Sequence, residues 1–444
     1  MGKKSVDVSE GLYYNIFTMS KYDLAVIGSG PCGYVAAVRA AELGMNVAVY
    51  EKERTGGVCL NWGCIPTKAL SATALVLTNV QRSAEFGVNV KGYELDFAKV
   101  QERKDNVVKK LTAGIEMLFK AKKIELIKAT AELGKIDAKN ILIATGSLPF
   151  KLPGMEFDGG TILSSKDMLN LKAVPKSILI VGGGVIGCEF ASIFRTFGAD
   201  ITIVEMMDQL LPAEDTEIAR KLEQIFKKRG IKVFTKTRVE KVEKGRAILS
   251  NGSAITAEKV LVSVGRVPNS EGLEGVVRDS KGWIKVDENF MTSAEHIYAA
   301  GDVIGGILLA HVASREGICA VERMADKKSI INYNVIPNCI FTHPEIASVG
   351  LTQKQAKDSR SRKFLFSAIG KAHVLEETEG FIKLIIDNKT DKILGAQMIG
   401  PHVTELIAEI STCVQFGLTS EKLASVIHAH PTLSEAIQEC ASAS

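Results

Sequence analysis

The sequence has few cysteines, few aromatic residues and no excess of charge of one sign. Its 444 residues include 8 cysteines, 6% aromatic side chains and 55 basic against 51 acidic residues, a net charge of +4. So balanced a charge argues against nucleic acid or another polyanion as a partner. Cysteines this sparse exclude a small disulfide-linked secreted scaffold and predict thiols in a reducing compartment. We expect a bacterial cytoplasm, with the mitochondrial matrix as the alternative.

Long apolar runs are also missing. Hydrophobic residues make up 46% of the chain, but glycines or charges interrupt every run before the ~18 residues that a membrane helix needs. Residues 1–20 lack an apolar core of signal-peptide length and contain Asp7 and Glu10, which transit peptides avoid. We interpret them as a leader or an artificial extension before a native start at Met19. The interrupted apolar runs predict a soluble protein, and the length predicts roughly three domains.

Two segments of the chain repeat one pattern, a buried strand, a glycine-rich turn, a helix and a second strand. Both contain the motif G-x-G-x-x-G, and in both 23 residues separate its first glycine from a glutamate that ends the second strand. The residues are Gly28, Gly30, Gly33 and Glu51 in the first segment, and Gly182, Gly184, Gly187 and Glu205 in the second. One copy could be only a strand-to-helix turn, but two copies in matched contexts are not expected by chance.

Each residue type in this motif suits dinucleotide binding. The first glycine permits a tight turn, the second lets the backbone approach a pyrophosphate, and the third lets the helix touch the strand. The helix N-terminus offers free N–H groups to the anion. The final acid accepts hydrogen bonds from a ribose and repels a 2′-phosphate, which favours FAD or NAD over NADP at both sites. The sequence therefore predicts two bound dinucleotides.

A second pair of similar segments closes the two units. Residues 140–147 and 259–266 are buried-strand runs that end at Gly146 and Gly265, and a proline follows each. More residues separate Glu51 from Gly146 than separate Glu205 from Gly265, so the first unit carries an insertion.

The insertion holds Cys59 and Cys64, with four residues between them. This is not the two-residue spacing of zinc knuckles, and no other cysteine or histidine pair stands nearby, so we predict no metal site. On a helical stretch the sulfurs can come close enough for a disulfide, and the N-terminus of the next helix would lower a thiol pKa. A redox-active dithiol fits best, and two buried core thiols are the alternative.

Two charged residues accompany the cysteines. Lys68 lies one helical turn after Cys64 on the same predicted face. Glu189 follows the second glycine motif inside an apolar helix start, where a carboxylate needs a partner. Lys68 is a candidate for that partner, and a solvated surface lysine is the alternative.

The C-terminal region offers an acid/base pair. A base for dithiol oxidation needs a pKa near 7, and histidine is the natural candidate. Between residues 427 and 435 stand His428 and His430, followed by Glu435, which could orient an imidazole. From the residues alone, a capping box formed by Thr432 and Glu435 is the favoured interpretation. We interpret His428 as structural.

These motifs together resemble the flavin disulfide reductases, a family of pyridine nucleotide-dependent disulfide oxidoreductases. The likeness covers residues 21–440 and rests on the paired glycine motifs and on segments 57–68, 144–146, 298–302 and 428–435. Segment 308–311 resembles the loop that covers the far end of the flavin. Within the family, the branch that oxidises protein-bound dihydrolipoyl groups to lipoyl groups with NAD+ matches best.

The resemblance implies a role for each matching residue. Cys64 would lie beside the flavin, Cys59 would exchange with the substrate, and the two would form the redox disulfide. Residues implied to bind FAD are Gly28, Gly30, Gly33, Glu51, Lys52, Lys68, Ala144, Thr145, Gly146, Asp302, Leu309, Ala310 and His311. Residues implied at the NAD site or the flavin edge are Gly182, Gly184, Gly187, Glu189, Glu205, Val239 and Gly265. His430 would be the acid/base and Glu435 its partner, which reverses the preference for a capping box.

The expected fold class is α/β, with two doubly wound, Rossmann-like dinucleotide-binding domains and a C-terminal α+β dimerisation domain. Segments 381–387 and 392–400 of this last domain show alternating strand patterns. The predicted units are 1–20, the leader; 21–148, binding FAD; 149–267, binding NAD; 268–332, returning to the FAD domain; and 333–444, the dimerisation domain.

The resemblance also implies partners. Cys59 and His430 are 371 residues apart, and in the family such residues meet only across a homodimer interface. An obligate homodimer is therefore expected. The lipoyl domains and the peripheral-subunit binding domain of a 2-oxo acid dehydrogenase complex, or a glycine cleavage system, would be the further partners.

Three segments, 128–137, 239–254 and 357–364, are shorter than the family pattern. The first should hold a β-meander that returns to the flavin sheet. Either these hairpins are trimmed, or residues are missing from the numbered chain. We favour missing residues, because a lost hairpin would leave strand edges unpaired.

The alternative function within the class is an NADPH-dependent, glutathione-type disulfide reductase. Such an enzyme would need basic residues after the second strand of the NAD unit. The chain has Glu-Met-Met-Asp at residues 205–208 instead, which favours NAD+.

Overall fold

A computed structural model describes residues 20–443 of the chain. All but the last residue of the predicted leader therefore lie outside the described residues. Within 20–443, no helix combines the length and the apolar character needed to span a bilayer. Three five-stranded sheets organise these residues, and the first two repeat one topology.

The N-terminal unit is built on a parallel sheet with helices on its faces. Its first strand is buried on both faces, as a helix-covered parallel sheet requires. Its elements are β1 (Tyr22–Ile27), α1 (Pro31–Glu42), β2 (Val47–Tyr50), α2 (Gly57–Trp62), α3 (Cys64–Gln81), α4 (Phe97–Ala121), β3 (Glu125–Ile127), β4 (Ala138–Ile143) and β5 (Ser147–Pro149).

The second unit repeats the strand, glycine turn, helix and strand of the first. Its elements are β6 (Ile162–Leu163), α5 (Ser165–Met168), β7 (Ser177–Val181), α6 (Val185–Thr196), β8 (Asp200–Val204), α7 (Thr216–Lys228), β9 (Lys232–Phe234), β10 (Val239–Glu243), β11 (Arg246–Leu249), β12 (Ala254–Thr256), β13 (Lys259–Val262) and β14 (Arg266–Pro268). The parallel sheet has the order β6-β13-β7-β8-β9, and β10, β11 and β12 form a separate antiparallel sheet.

After the second unit the chain returns to the first sheet. Strand β15 (Ile297–Ala299) pairs with β4 in parallel, and helix α8 (Ala310–Met324) packs on α1. The completed sheet has the order β15-β4-β1-β2-β3. A two-stranded antiparallel ribbon of β5 and β14 also links the two nucleotide units.

The first shortened segment contains no meander. Between β3 and β4 the chain forms only a 3-10 turn at Leu133–Lys135. Because β4 is paired on both sides and β3 is a three-residue edge strand, the shortening leaves no inner strand of this sheet unpaired. That residues are missing from this segment stays a prediction. In the second shortened segment, β10, β11 and β12 still form their antiparallel pairs.

The C-terminal unit combines an antiparallel sheet with helices. Its elements are β16 (Asn338–Ile340), β17 (Glu345–Gly350), β18 (Ser359–Leu365), α9 (Gly370–Val374), β19 (Phe381–Asp387), β20 (Ile393–Gly400), α10 (Val403–Phe416), α11 (Ser420–Ala424) and α12 (Glu435–Ser442). The sheet order is β16-β17-β20-β19-β18. The two unit types together confirm the predicted α/β class with an α+β C-terminal domain.

The burial of two strands in this sheet differs from the predicted alternation. Strands β19 and β20 are buried along almost their whole length, on both faces. Helices of the C-terminal unit cover one face, and α7 of the second unit packs on β20. Lys383 of β19 is buried because Asp215 and Glu217, at the start of α7, pair with its ammonium group at 3.0 and 2.9 Å.

A shared apolar core holds α3 against α6. Leu70 and Leu77 of α3 belong to the same buried cluster as Phe190 and Phe194 of α6. This packing joins the helix that begins at Cys64 to the helix that carries Glu189.

Candidate active site

A deep cleft of about 2130 Å³ connects the two glycine-rich turns. Both cysteines of the insertion lie on its wall between the turns. Pockets for one small ligand commonly span about 300–1,000 Å³, so this cleft has room for two large ligands that meet near the cysteines.

The glycines of the first turn are required by close contacts. Gly28 has a φ of +100°, and a Cβ there would lie 2.5 Å from the carbonyl oxygen of Ala144. A Cβ on Gly33 would lie 1.9 Å from the carbonyl oxygen of Gly28. Gly30 faces the cleft, and the nearest atom to a Cβ built on it is the Cα of Gly57, at 3.9 Å. The open space at Gly30, beside the N-terminus of α1, fits a pyrophosphate.

The second turn repeats this arrangement. Gly182 has a φ of +104°, and its Cβ would lie 2.6 Å from the carbonyl oxygen of Ser263. A Cβ on Gly187 would lie 2.1 Å from the oxygen of Gly182, whereas Gly184 has open space around it. Gly33 and Gly187 lie behind the wall, where they bring helix and strand together.

The two glutamates that end the second strands are buried and held by backbone donors. Glu51 accepts hydrogen bonds from the N–H and hydroxyl of Ser29, at 3.0 and 2.6 Å, and from the N–H of Glu53 at 2.8 Å. Glu205 accepts from the N–H groups of Gly183 and Met207, at 2.6 and 2.8 Å. Each carboxylate is thereby fixed at one end of the cleft, in position to accept from a ribose.

All of the other predicted cofactor residues line the cleft. On the side of the first turn these are Lys52, Lys68, Ala144, Thr145, Gly146, Asp302, Leu309, Ala310 and His311. On the side of the second turn these are Glu189, Val239 and Gly265. The hydroxyl of Thr145 is buried and has no partner among the described residues, as expected where a ligand supplies one. The Nε2 atom of His311 donates a hydrogen bond to the carbonyl of Pro337 at 2.9 Å, and burial lowers the pKa of His311.

The cysteines lie where α2 meets α3. Gly63 separates the helices, and a Cβ there would lie only 3.0 Å from the carbonyl oxygen of Val58. This close approach brings Cys59 of α2 next to Cys64, the first residue of α3. In the structure both side chains are thiols, and each is partly buried.

The electrostatics of the pair place the negative charge on Cys64. A hydrogen bond from Cys59 and the positive charge of Lys68 lower the pKa of Cys64 to about 7, against the opposing effect of burial. The same hydrogen bond and burial raise the pKa of Cys59. Cys64 is therefore the thiolate near neutral pH, and Cys59 keeps its proton.

Lys68 and Glu189 form the ion pair that the sequence suggested. The ammonium nitrogen lies 2.9 Å from both carboxylate oxygens. Phe341, just after β16, completes the arrangement, since its N–H donates to Glu189 at 2.9 Å and its ring centre lies 4.4 Å from the Lys68 nitrogen. Sequence reasoning missed Phe341, because an apolar residue 152 positions from Glu189 gives no local signal.

His430 and Glu435 form a pair away from the cleft wall. The Nδ1 atom of His430 lies 2.8 Å from Glu435, whose other oxygen accepts from the N–H of Thr432 at 2.8 Å. Glu435 thus orients the histidine and also accepts from the backbone of Thr432. The capping box that the residues alone favoured is not formed, because α12 begins at Glu435 itself, after Ser434, and no side chain caps its N-terminus. The His430 side chain is 79% exposed.

The neighbouring His428 is held differently. Its side chain is only 5% exposed, and its ring bonds to Glu409 at 2.9 Å and to the carbonyl of Val426 at 3.0 Å. These contacts fit the structural role predicted for it. Among residues 20–443, no group of three or more histidine, cysteine or acidic side chains is arranged to hold a metal ion.

Comparisons with known proteins match nearly the whole chain. A model of the pyridine nucleotide-disulphide oxidoreductase family matches residues 22–317, and a model of the family's dimerisation domain matches residues 336–441. A dihydrolipoyl dehydrogenase of Bacillus subtilis is 44% identical over 95% of this chain and 98% of that protein. One of Geobacillus stearothermophilus is 42% identical over 94% of each. The crystal structure of LpdA from Mycobacterium tuberculosis superposes with a TM-score of 0.88 at 28% identity, over 94% of this chain and 99% of that one.

Proposed function

Because the chain belongs to the pyridine nucleotide-disulphide oxidoreductase family, we propose that it oxidises protein-bound dihydrolipoyl groups to lipoyl groups with NAD+. The observation that carries this proposal is the position of Cys59 and Cys64, on the cleft wall between two glycine-rich turns, with a thiolate stabilised at Cys64. The identity of 40% or more to several dihydrolipoyl dehydrogenases supports the same substrate class.

The family's two cofactors fit the residues present. The backbone at Gly28 and Gly30, the carboxylate of Glu51, and Asp302 would hold FAD. The second turn at Gly182 and Gly184 would hold NAD+, with Glu205 on its ribose; Val239 and Gly265 line the same part of the cleft. When bound, FAD accepts two electrons from the reduced dithiol and passes them to NAD+ as hydride.

The cysteines carry the first half of the reaction. A substrate thiolate attacks the sulfur of Cys59 in the oxidised pair, which breaks the Cys59–Cys64 bond and releases Cys64 as a thiolate. The second substrate thiol then attacks the mixed disulfide, so that the lipoyl ring closes and Cys59 leaves with a proton. The lowered pKa of Cys64 makes it the better leaving group and keeps its charge beside the flavin site.

The chain's own charges then stabilise the reduced pair. Lys68 faces the Cys64 thiolate from one helical turn away, and Glu189 and Phe341 hold the lysine in place. Each substrate oxidised releases two electrons and two protons. One hydride leaves as NADH and one proton is released to solvent, so the balance closes with NAD+ as the oxidant.

The proton acceptor in this proposal is the partner subunit's His430. The match of residues 336–441 to the family's dimerisation domain supports a homodimer. His430 does not line the cleft of its own chain and its side chain is 79% exposed, which suits a residue that completes a neighbouring site. Glu435 would orient its imidazole and stabilise the imidazolium after proton transfer.

The further partners in this proposal are lipoyl domains and the peripheral-subunit binding domain of a 2-oxo acid dehydrogenase complex, in a bacterial cytoplasm. The low share of cysteine in the sequence suits a reducing compartment. A pull-down of the purified homodimer with individual peripheral-subunit binding domains tests the complex. Retention by none of them would contradict this part of the proposal.

A comparison of two reactions tests the proposed activity. The holoenzyme is assayed with dihydrolipoamide and NAD+, and separately with glutathione disulfide and NADPH. We expect rapid NADH formation in the first assay and little NADPH consumption in the second. The reverse result would assign the chain to the glutathione-type reductases.

A further inference from the structure

Ser147 and Arg266 occupy equivalent positions in the two similar segments that close the nucleotide units. Each follows the terminal glycine, Gly146 or Gly265, and each lies two residues before a proline. In the structure these positions meet, because β5 and β14 pair as an antiparallel ribbon between the units. The internal repeat thus brings its own two copies into contact.

The contact is a directed chain of hydrogen bonds. Arg266 donates from Nε to the hydroxyl oxygen of Ser147 at 2.7 Å and from Nη2 to the Ser147 carbonyl at 2.6 Å. The Ser147 hydroxyl donates to Asp302 at 2.5 Å. Arginine has no acceptor and an ionised aspartate has no donor, so the direction from Arg266 to Asp302 is fixed. Such a chain polarises each bond and strengthens the next.

The chain links residues assigned to different cofactors along one cleft. Ser147, Arg266 and Asp302 all line this cleft. Arg266 follows Gly265, which the resemblance places at the NAD site or the flavin edge, whereas Asp302 is assigned to FAD. Ser147 is fully buried, and burial is the main cause of the lowered pKa of Arg266. The described residues provide no other hydrogen-bond donor to the carboxylate of Asp302 than Ser147.

We propose that Arg266 is a positioning residue for FAD, which acts through the Ser147 hydroxyl to fix the carboxylate of Asp302. FAD retention would then depend on the junction with the NAD-binding unit as well as on the FAD unit itself. This inference rests on the proposed role of Asp302 in binding FAD.

The dissociation constant of FAD from the holoenzyme tests the proposal, measured by the rise of flavin fluorescence on dilution. Charge-assisted hydrogen bonds are among the stronger polar contacts, so we expect Arg266→Met to raise this constant on the order of 10-fold. Ser147→Ala breaks the same chain without changing the charge, and should raise the constant by a similar factor. Arg266→Lys keeps the charge but not the paired donors, and should recover only part of the affinity.

Variants at Asp302 separate this inference from its premise. Asp302→Ala alone should weaken FAD binding, and an unchanged dissociation constant there would contradict the proposed role of Asp302. In the Asp302→Ala background, Arg266→Met should raise the FAD dissociation constant by less than about a further twofold, because the effects of substitutions that act through one contact do not add. A full effect of Arg266→Met in that background would show a direct action on FAD and overturn the inference.

A matched arginine controls for general destabilisation. Arg229 also has its pKa lowered mainly by burial, but it does not line the cleft. Arg229→Met should leave the FAD dissociation constant within about twofold of wild type. If Arg229→Met and Arg266→Met weaken FAD binding equally, or if Ser147→Ala has no effect, the inference fails.

Discussion

Lys68 and Glu189 join the two nucleotide units at the redox site, with 2.9 Å between the lysine nitrogen and each carboxylate oxygen. Lys68 comes from the helix that begins at Cys64, and Glu189 from the helix that follows the second glycine turn. Their contact places a fixed positive charge one helical turn from the thiolate. It also means that the docking of the two units sets the chemistry of the cysteines.

Removal of this charge should raise the pKa of Cys64. We expect Lys68→Met to move that pKa above its value of about 7 and to slow turnover by about 10-fold or more. The pKa is measured in the reduced holoenzyme from the pH dependence of the long-wavelength absorbance between thiolate and flavin. The free energy of unfolding of the variant should also fall, by no more than about 3 kcal/mol, because the Lys68 side chain is 31% exposed.

An ion pair outside the cleft provides the control for Lys68. Arg39 and Glu322 also link two helices, at 2.7 Å, and neither lines the cleft. Arg39→Met should leave the pKa of Cys64 unchanged. An equal shift in both variants would mean that the effect is general and not a property of the Lys68 charge.

The pH dependence of the reduced enzyme follows from Cys64. Its pKa is lowered from 9.0 to about 7, so the stability it contributes is fully present above pH 9 and is lost as the pH falls through about 7. The thiolate absorbance of the reduced wild-type enzyme should therefore be lost with a midpoint near pH 7. A midpoint near pH 9 would contradict the assignment of the lowered pKa to Cys64.

Mixed dimers test where the base comes from. Cys59→Ser and His430→Gln should each reduce turnover with dihydrolipoamide, the histidine variant by about 100-fold or more. If each site takes its histidine from the partner, subunit exchange between the two variants creates one intact site in each hybrid dimer. Activity should then return to about a quarter of the wild-type value.

The same experiment has a clear contrary outcome. If Cys59 and His430 acted within one chain, no hybrid would contain an intact site and activity would stay at the level of the single variants. His428→Gln serves as the control, because His428 is bonded to Glu409 and is only 5% exposed. His428→Gln should change the unfolding temperature but leave turnover with dihydrolipoamide close to the wild-type value.

The glutamate at the end of β8 should set the choice of pyridine nucleotide. Glu205 is buried and fixed by two backbone N–H groups, so a 2′-phosphate would meet a carboxylate that cannot move away. Like charges at a binding site cost several kcal/mol, so kcat/KM for NAD+ should exceed that for NADP+ on the order of 100-fold or more.

Substitution of this glutamate should reduce the preference. Glu205→Ala should weaken NAD+ binding and lower the ratio of kcat/KM for NAD+ to kcat/KM for NADP+. Asp208 is an exposed acid of the same segment that does not line the cleft, so Asp208→Ala should change neither. Steady-state assays with both nucleotides side by side measure the ratio. A preference of the wild-type enzyme for NADP+ would contradict the account.

Local patterns predicted the two nucleotide units and the cysteine site well. The strands β1, β2, β7 and β8, both glycine turns and the pairing of Lys68 with Glu189 all followed from spacing, because each depends on a short motif or on a charge that needs a partner. The alternation predicted for β19 was wrong, because α7 of the second unit packs on the neighbouring strand β20 and the residues at its start pair with Lys383 of β19.

Contacts between units gave no such signal. The ribbon of β5 and β14 joins residues about one unit apart in the chain, and Ser147 and Arg266 carry no periodic pattern. The one indication of this contact was the internal repeat, in which the two residues occupy equivalent positions. No sequence pattern indicated Phe341, because it contributes to the Glu189 site only a backbone N–H and a ring face.

The most direct test of the account is an anaerobic titration of the holoenzyme with dihydrolipoamide, followed by addition of NAD+. We predict that dihydrolipoamide produces the long-wavelength absorbance of a Cys64 thiolate beside oxidised flavin, that Cys64→Ser abolishes this absorbance, and that NAD+ then yields NADH only in the wild-type enzyme. Persistence of the absorbance in Cys64→Ser, or flavin reduction by dihydrolipoamide without it, would contradict the central role of the cysteine pair.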